Sequence, residues 1–100
     1  RQLPNTRAAQ LIGTQFFRAG TSVGANYRAA CRARSKADFI AKLGIVLEET
    51  DESLYWLEIL AENRIMDAGF LKGLTHEAKQ LLAIFISSLN TAKRRAKRIS

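Results

Sequence analysis

The stretch that decides the fold covers residues 15–39 and reads QFFRAGTSVGANYRAACRARSKADF. Its central segment at residues 20–24, GTSVG, contains weak helix formers, and local propensity alone predicts a break there. The apolar and small residues on both sides nevertheless keep one helical register, with steps of three and four, at Ala8, Ile12, Phe16, Ala19, Val23, Tyr27 and Ala30. The sequence therefore predicts one continuous buried helix, in which packing outweighs propensity and small residues let another backbone approach closely.

The same stretch ends in a cluster of cations, with no acidic residue before Asp38. These cations are Arg28, Arg32, Arg34 and Lys36. Charge is segregated along the whole chain, whose net charge is +7. Residues 1–37 carry seven Lys/Arg and no acid, residues 38–67 carry eight acids and two cations, and residues 68–100 carry seven cations and one acid. This order favours attraction between neighbouring antiparallel helices, and it leaves basic surfaces that a polyanion could contact.

Length and composition predict a single domain over residues 1–100, with a modest core built from 47% hydrophobic residues. The only proline is Pro4, so long helices are permitted after it. Cys31 is the only cysteine, which excludes an intrachain disulfide and fits a reducing compartment. The sequence has no signal peptide and no apolar run of about eighteen residues. We therefore expect a cytoplasmic protein without a membrane span.

The first helix is predicted to begin after Pro4, with Asn5 or Thr6 as its N-cap, and to run to about Ala33. A second lane of small residues runs beside its apolar stripe. Such lanes occur in water-soluble bundles where helix axes approach closely, and here the lane contains Gly13, Gly20 and Gly24.

The second helix is predicted to begin at Ser35, because Ser35 and Asp38 resemble a capping box with Asp in place of the usual Glu, and to end near Arg64. Its predicted buried stripe contains Phe39, Leu43, Val46, Leu47, Thr50, Leu54, Leu57 and Ala61. A second, partly apolar flank in so small a domain predicts a subunit interface, and it contains Ile45, Trp56 and Ile59.

The third helix is predicted to begin at Asp67 or at Thr75, depending on whether Gly69 and Gly73 are tolerated inside it. Its predicted core stripe, widened by Leu82 and Ile86, contains Leu74, Ala78, Leu81, Phe85, Leu89, Ala92, Ala96 and Ile99. No segment alternates with period two, so no strand is predicted. The fold class is therefore all-α, an antiparallel up-down bundle of three long helices.

One set of residues carries a family resemblance. Its centre is the pattern R-A-x-x-S-V-x-A-N at residues 18–26, and the residues that carry it are Gln15, Arg18, Ser22, Asn26, Arg34, Ser35, Phe39, Leu43, Glu52, Tyr55, Trp56 and Leu57. With them the chain resembles, over essentially its whole length, a bacterial four-helix-bundle family. That family is known from proteins encoded in intervening sequences of 23S rRNA genes.

The resemblance implies a non-catalytic oligomer. Members are similar to the accessory variability protein of diversity-generating retroelements, a basic pentameric barrel that associates with a reverse transcriptase and binds nucleic acid. A homopentamer and a protein partner such as a reverse transcriptase are therefore implied. The resemblance also implies a structural pair between Arg18 and a buried Glu52. We assign structural roles to Gln15, Arg18, Ser22, Asn26, Ser35, Phe39 and Glu52, with the Ser22 and Asn26 side chains satisfying backbone groups or a facing helix.

The chain departs from the family pattern in two ways. Ala29 stands where the family has Glu, and Ala30 stands where it has Gly. A role of that Glu is therefore not carried over. The family also has an N-terminal helix ahead of the segment with which this sequence begins. We expect the parent protein to have that helix, because three helices alone would leave an apolar seam exposed or covered by a neighbour.

No constellation in the sequence favours an enzyme. His76 is the only histidine, which excludes a His pair and favours a surface residue. Cys31 lies beside arginines that favour a reactive thiolate, but no motif surrounds it and a small packing role is favoured. The carboxylates of residues 48–52 lack the Glu-x-x-His motifs of di-metal bundles, so a solvated acidic face is favoured. Residues 20–24 lack the P-loop lysine. We predict no catalytic residue, no metal site and no cofactor.

Nucleic acid is the strongest functional candidate. Two basic clusters contact phosphate backbone in this interpretation, and the predicted contact residues are Arg28, Arg32, Arg34, Lys93, Arg94, Arg95, Lys97 and Arg98. No aromatic residues alternate with these cations, so binding should be salt-sensitive and weakly sequence-specific. The alternative is a protein-protein interaction scaffold without a nucleic-acid role, in which the acidic and apolar flank of the second helix builds the oligomer and the basic surface binds an acidic protein partner. Cations in the last turn of a helix also complement the helix dipole and keep a protein soluble, without binding any ligand.

Overall fold

A computed structural model of the chain describes residues 6–99, and in this range it contains three α-helices and no strand. Helix α1 spans Arg7–Cys31, α2 spans Lys36–Glu62 and α3 spans Ala68–Ile99. The predicted all-α bundle is confirmed. None of the described helices is long and apolar enough to cross a membrane.

Helix α1 runs without a break through the GTSVG segment, as the register of its apolar residues predicts. Thr6 is the N-cap, since its Oγ1 accepts a hydrogen bond of 3.1 Å from the Ala9 N–H. The alternative cap, Asn5, lies outside the described residues. The helix ends at Cys31, two residues before the predicted end, where the Arg32 N–H bonds back to the carbonyls of the preceding turn.

Helix α2 begins as predicted after Ser35, whose Oγ accepts a hydrogen bond of 3.0 Å from the Asp38 N–H. The capping box is modified, because the Asp38 carboxylate accepts from the N–H of Arg34, at 3.4 Å, and not from that of Ser35 itself. The helix ends at Glu62, and Arg64 adopts a left-handed φ of 52° in the turn that follows. The predicted end near Arg64 was therefore two residues too late.

Helix α3 begins immediately after Asp67, whose carbonyl accepts from the Leu71 N–H at 3.1 Å. The earlier of the two predicted starts is therefore confirmed, and Gly69 and Gly73 lie inside the helix. The two glycines are tolerated because the first turns of α3 are packed, with Leu71 buried against the end of α2.

Helix α2 is the central element, and it packs against both α1 and α3, whose backbones do not approach each other. Contacts run in opposite order along successive helices. One apolar cluster joins the start of α1, the end of α2 and the start of α3, through residues that include Ala9, Leu57, Leu60 and Leu71. A second cluster joins the end of α1, the start of α2 and the later part of α3, through Val23, Phe39, Leu43, Val46, Leu47, Phe85 and Leu89. The molecule is elongated, 53 Å by 20 Å by 15 Å.

The buried faces of the three helices differ from the predicted apolar stripes at several positions. Ala8 is exposed and Ala9 is buried in its place, while Ala61 is exposed and its neighbour Leu60 is buried. Several predicted core residues on α1 and α3 are instead exposed by more than two-fifths: Tyr27, Leu81 and Ile86. The cause is the central position of α2, which gives α1 and α3 only one neighbouring helix each to bury their apolar faces. The side chain of Ile99, another predicted core residue, is not among those that the structure describes.

The apolar breadth of α2 has an explanation within the chain. A helix that packs on both sides needs apolar residues around more than one face, so two-sidedness alone does not require a second subunit. The flank that predicted an interface is partly covered: Ile45 is 44% exposed, whereas Trp56 and Ile59 are half-buried. The subunit interface on this flank stays a prediction.

The glycine lane does not receive another backbone within this chain. A Cβ added at Gly20 or Gly24 would meet no atom within 4 Å. The predicted close approach at these two positions is therefore wrong for the single chain, because the α3 backbone lies too far from α1. The glycines face open space.

At Gly20 this open space is an apolar groove between α1 and α3, with α2 as its floor. It has a volume of about 190 Å³ and is lined by Phe16, Gly20, Val23, Thr50, Ser53, Leu57, Leu74, Glu77, Ala78 and Leu81. The floor hydroxyls are satisfied internally, since Thr50 donates to the Val46 carbonyl at 2.7 Å and Ser53 donates to the Glu49 carbonyl at 2.9 Å. The apolar seam expected for three helices of a four-helix architecture is thus open.

Candidate nucleic-acid interface

Three helix ends meet at one end of the bundle: the end of α1, the start of α2 and the end of α3. The second apolar cluster lies beneath them and holds them together. The Tyr27 and Phe85 rings make a direct contact between α1 and α3 with centroids 5.3 Å apart. Segments far apart in sequence therefore form one surface, which we call the basic end.

The basic end is almost free of acidic residues. Over residues 24–46 and 85–98 the only acid is Asp38, and the cations are Arg28, Arg32, Arg34, Lys36, Lys42, Lys93, Arg94, Arg95, Lys97 and Arg98. All of these cations are exposed except Lys42, which is half-buried. The two basic clusters that the sequence presents separately thus belong to one strongly positive surface.

An open cleft of about 550 Å³ lies where the turn between α1 and α2 faces α3. Arg34 and Lys36 stand on one side of this cleft, and Arg95 stands on the other. The remaining lining is a mixture of hydroxyl and apolar groups from Ala33, Ser35, Phe39, Ser87, Ser88, Thr91 and Ala92. The structure therefore brings the predicted contact residues Arg34 and Arg95 into one cleft, although they are sixty-one positions apart in the sequence. The hydroxyl residues and the cleft itself were missed, because no local sequence motif marks them.

A second depression, of about 400 Å³, lies between α1 and α2 and is lined by Ala25, Arg28, Ala29, Arg32, Arg34, Asp38 and Lys42. Lys42 pairs with Asp38 at 3.1 Å. The pKa of Asp38 is lowered below its ordinary 3.8, chiefly by this bond and further by the Arg34 N–H and nearby cations. Together these interactions outweigh the partial desolvation of the carboxylate, which raises the pKa. The Asp38 carboxylate therefore forms its salt bridge with Lys42. The three arginines of the depression have no salt-bridge partner among residues 6–98.

The four other predicted contact residues of α3 lie outside both depressions. Arg94 donates a hydrogen bond of 3.3 Å to Thr91 Oγ1, which directs its guanidinium back along the helix. The side chains of Lys93, Arg94, Lys97 and Arg98 are all exposed. They add positive charge around the end of α3 rather than line a cleft.

Cys31 is exposed at the last position of α1, so the predicted packing role is wrong. The helix ends earlier than expected, which leaves this residue at the solvent edge. The thiol lies one turn from Tyr27, and a hydrogen bond with it raises the pKa of the phenol above its ordinary 10.0.

His76 lies toward the other end of the molecule. His76 is exposed, as predicted, and lines a depression together with Lys72 and Lys79. Within the described part of the chain, no three His, Cys, Asp or Glu side chains are grouped in a way that could hold a metal ion.

Comparisons with known proteins decide the family. The model of the 23S rRNA-intervening sequence protein family matches residues 1–87. The chain belongs to this family. A crystal structure of a protein of unknown function from the S23 ribosomal protein family of Bacteroides thetaiotaomicron VPI-5482 superimposes with a TM-score of 0.75. It is 37% identical in sequence, and the match covers 78% of this chain and 72% of that one. No curated protein matches the chain.

Four of the residues that carried the family resemblance, Gln15, Arg18, Glu52 and Trp56, form a polar cluster between α1 and α2. Arg18 forms the predicted salt bridge with Glu52, and its Nε donates to Gln15 Oε1 at 3.1 Å. The predicted burial of Glu52 is wrong, since its side chain is 36% exposed at the surface between the helices. Trp56 Nε1 also donates to the Glu52 carboxylate, at 3.2 Å.

Glu49 was not predicted to belong to this cluster. Its carboxylate lies 3.7 Å from Arg18 Nη1, and its buried Oε2 has no hydrogen-bond partner. The i, i+3 spacing of Glu49 and Glu52 is the sequence signal that could have identified it, because both then face the same neighbouring helix.

Two other family residues bond to each other. Asn26 Nδ2 donates to Ser22 Oγ at 3.0 Å, one turn away on the same helix. The predicted partners, backbone groups or a facing helix, are therefore wrong. Both side chains are half-buried on α1, where α3 is too distant to offer a partner.

Proposed function

We propose that this protein is a non-catalytic, oligomeric nucleic-acid-binding protein that contacts the phosphate backbone of RNA or DNA through the basic end. One observation carries the proposal: the fold collects ten cations from two chain segments, residues 24–46 and 85–98, around a single acid, and that acid is paired with Lys42. Clusters of this kind bind phosphates largely without reading sequence.

The physical chemistry favours a polyanion over an isolated acidic side chain. A carboxylate could satisfy one or two of these cations, whereas a nucleic-acid strand offers a row of phosphates, each of which can contact a cation. Binding then depends on counterion release, so affinity should fall steeply as salt rises. RNA is the first ligand to test, because the family name refers to 23S rRNA.

The resemblance to retroelement accessory proteins supports a proposal about the biological setting. We propose that the protein acts beside another nucleic-acid enzyme, of which a reverse transcriptase is one candidate. In that setting the basic end would hold RNA or DNA while the partner performs the chemistry.

The test is fluorescence anisotropy with labelled RNA and DNA, using a variant that reverses three cations of α3, R94E/R95E/R98E. We expect binding to be lost while the circular-dichroism spectrum and melting temperature remain those of a folded helical protein. The matched control reverses three exposed cations at the other end, R7E/K72E/K79E, which changes the net charge by the same amount. Equal loss in both variants would mean that overall charge, rather than the basic end, attracts the nucleic acid.

We further propose that the chain assembles as a homopentamer, the state that the resemblance implies. Support comes from large apolar side chains left exposed: Phe17 is 71% exposed, Ile84 is 58% exposed and Leu11 is 54% exposed. Repetition around a ring would multiply weak phosphate contacts through multivalency. Light scattering after size exclusion should give about five times the 11.2 kDa of one chain, and a monomer mass would overturn this proposal.

The second candidate is a protein scaffold without a nucleic-acid role. The outer face of α2 supports it, since Ile45 and Tyr55 are exposed there among the acids Glu48, Asp51 and Glu58. A partner bound to this face would tolerate reversal of the cations at the basic end. No binding of RNA or DNA even at low salt would favour the scaffold.

A further inference from the structure

We infer that the cleft at the basic end accepts one unstacked nucleotide, and that the protein therefore prefers single-stranded RNA or DNA to a duplex. The inference rests on the proposed nucleic-acid binding and specifies which form of the polymer is recognised. It depends on the shape, charge and lining of the cleft between Arg34 and Arg95.

The size of the cleft suits a nucleotide. Pockets of roughly 300–1,000 Å³ hold small organic ligands, and this cleft has a volume of about 550 Å³. It is open to solvent, so a strand can enter with one unit while its neighbours remain outside. Its cations come from separate elements, Arg34 and Lys36 from the turn and the start of α2 and Arg95 from α3.

The distribution of charge fits a phosphate attached to a less polar group. Arg34, Lys36 and Arg95 provide cations on both sides of the cleft. No carboxylate forms a salt bridge with any of the three among residues 6–98. Their charge is therefore available to phosphate oxygens, with which guanidinium groups form bidentate hydrogen bonds.

The rest of the lining fits a base. Phe39 lines the cleft and also packs onto the apolar cluster of Leu43, Val46 and Phe85, so its ring is held in place. Aromatic rings of this kind stack with bases irrespective of sequence. Ser87 and Ser88 line the same cleft, and their hydroxyl groups can donate to or accept from the edges of a base.

A duplex cannot use these groups. Its bases are stacked and paired, so its phosphates can contact Arg34 and Arg95 but its bases cannot enter between them without unstacking, which costs a few kcal/mol per step. Single strands expose both the phosphate and the face of the base. The cleft therefore adds affinity for single strands alone, whereas the surrounding cations attract both forms.

The experiment measures anisotropy of a labelled twenty-nucleotide oligouridylate and oligothymidylate, and of a duplex of equal length, with the full chain at one salt concentration. We expect the single strands to bind at least fivefold more tightly than the duplex. The F39L variant should lose at least fivefold of the single-strand affinity and leave the duplex affinity unchanged, because only stacking is removed.

Two further variants keep the inference testable if F39L fails to fold. S88L fills the cleft from an exposed position, and A83L adds the same side chain at an exposed position of α3 outside the cleft. We expect S88L, but not A83L, to reduce single-strand affinity. R95E should likewise weaken single-strand binding more than R98E does, although both change charge equally.

The outcomes separate the inference from the function on which it rests. Equal binding of single strands and duplex, with S88L and A83L indistinguishable, would overturn the nucleotide cleft and leave backbone binding intact. Absence of binding to every oligonucleotide would overturn the proposed function and the inference together.

Discussion

Arg18 joins α1 to α2 through a network that only side chains on two helices could create. Its guanidinium contacts Glu52 and lies near Glu49, while Trp56 and Gln15 complete the hydrogen bonds. The Arg18 side chain is 49% exposed, so solvent screens the pair and its net contribution to stability is small. The network therefore links α1 to α2 but contributes little to the free energy of unfolding.

Replacing Glu52 by Gln should lower the free energy of unfolding by about 0.5 kcal/mol, and by no more than about 1 kcal/mol. The change removes the charge that Arg18 contacts, whereas the amide oxygen still accepts from Trp56. Urea denaturation at low salt measures this difference, and the effect should disappear at 1 M salt. The control is E48Q on the exposed face of α2, which should change stability less. Equal stability of E52Q and the unchanged protein would show that the salt bridge has no structural role.

Asp38 should make stability depend on pH in a defined direction. Its pKa is lowered in the folded protein, chiefly by the bond to Lys42. The folded state therefore gains stability from Asp38 at pH values above its ordinary 3.8, and this gain is lost as pH falls through the lowered pKa. The D38N variant should be less stable than the unchanged protein at pH 6, and the difference should vanish below both pKa values.

The cause of that shift can be tested by an NMR titration of the Asp38 carboxyl group. In the K42Q variant the pKa should rise toward 3.8, because the largest lowering contribution is gone. An unchanged pKa would assign the shift to the Arg34 N–H and the other cations instead.

At the scale of the helix, the sequence predicts what depends on local chemistry. Both predicted caps that fall within the described residues, Thr6 and Ser35, are observed, since a cap needs only a side-chain oxygen and an N–H two or three positions later. The continuity of α1 through residues 20–24 was also predictable, because the apolar register extends beyond the weak formers on both sides.

What the sequence could not provide is the arrangement of the helices. Leu81 and Ile86 follow a helical period as well as Phe85 does, yet only Phe85 is buried, because α2 contacts one narrow face of α3. The cleft has the same origin. Arg34 and Arg95 were each predicted as contact residues, but their facing positions depend on tertiary packing that no local pattern encodes.

Replacing Gly24 by Ala should stabilise the single chain by about 0.5–1 kcal/mol. Glycine in a helix interior loses more backbone entropy than alanine, and the added Cβ meets no atom within 4 Å. Thermal or urea denaturation measures the change, and A25G at the adjacent exposed position should produce a loss of similar size. A destabilised or dissociated G24A oligomer would instead show that a neighbouring subunit packs against this glycine.

At the scale of the molecule, the basic end predicts the salt dependence of binding. The logarithm of the affinity for single strands should fall linearly with the logarithm of the salt concentration, with a slope steeper than about −3, because each neutralised phosphate contributes about −0.7. An anisotropy series between 50 and 300 mM salt measures the slope. The K72E/K79E variant should keep the slope, since these residues lie at the opposite end. A flat dependence would contradict binding through the phosphate backbone.

The separation of charge along the molecule also affects how it approaches a ligand. Most cations lie at the basic end, while most carboxylates lie along α2 and toward the other end. The chain therefore has a permanent electric dipole along its 53 Å axis. In the electric field of a nucleic acid this dipole experiences a torque, which turns the basic end toward the nucleic acid before contact. Encounters become productive more often than random orientation allows, and the association rate rises until dissolved ions screen the field within about 10 Å at 0.1 M ionic strength.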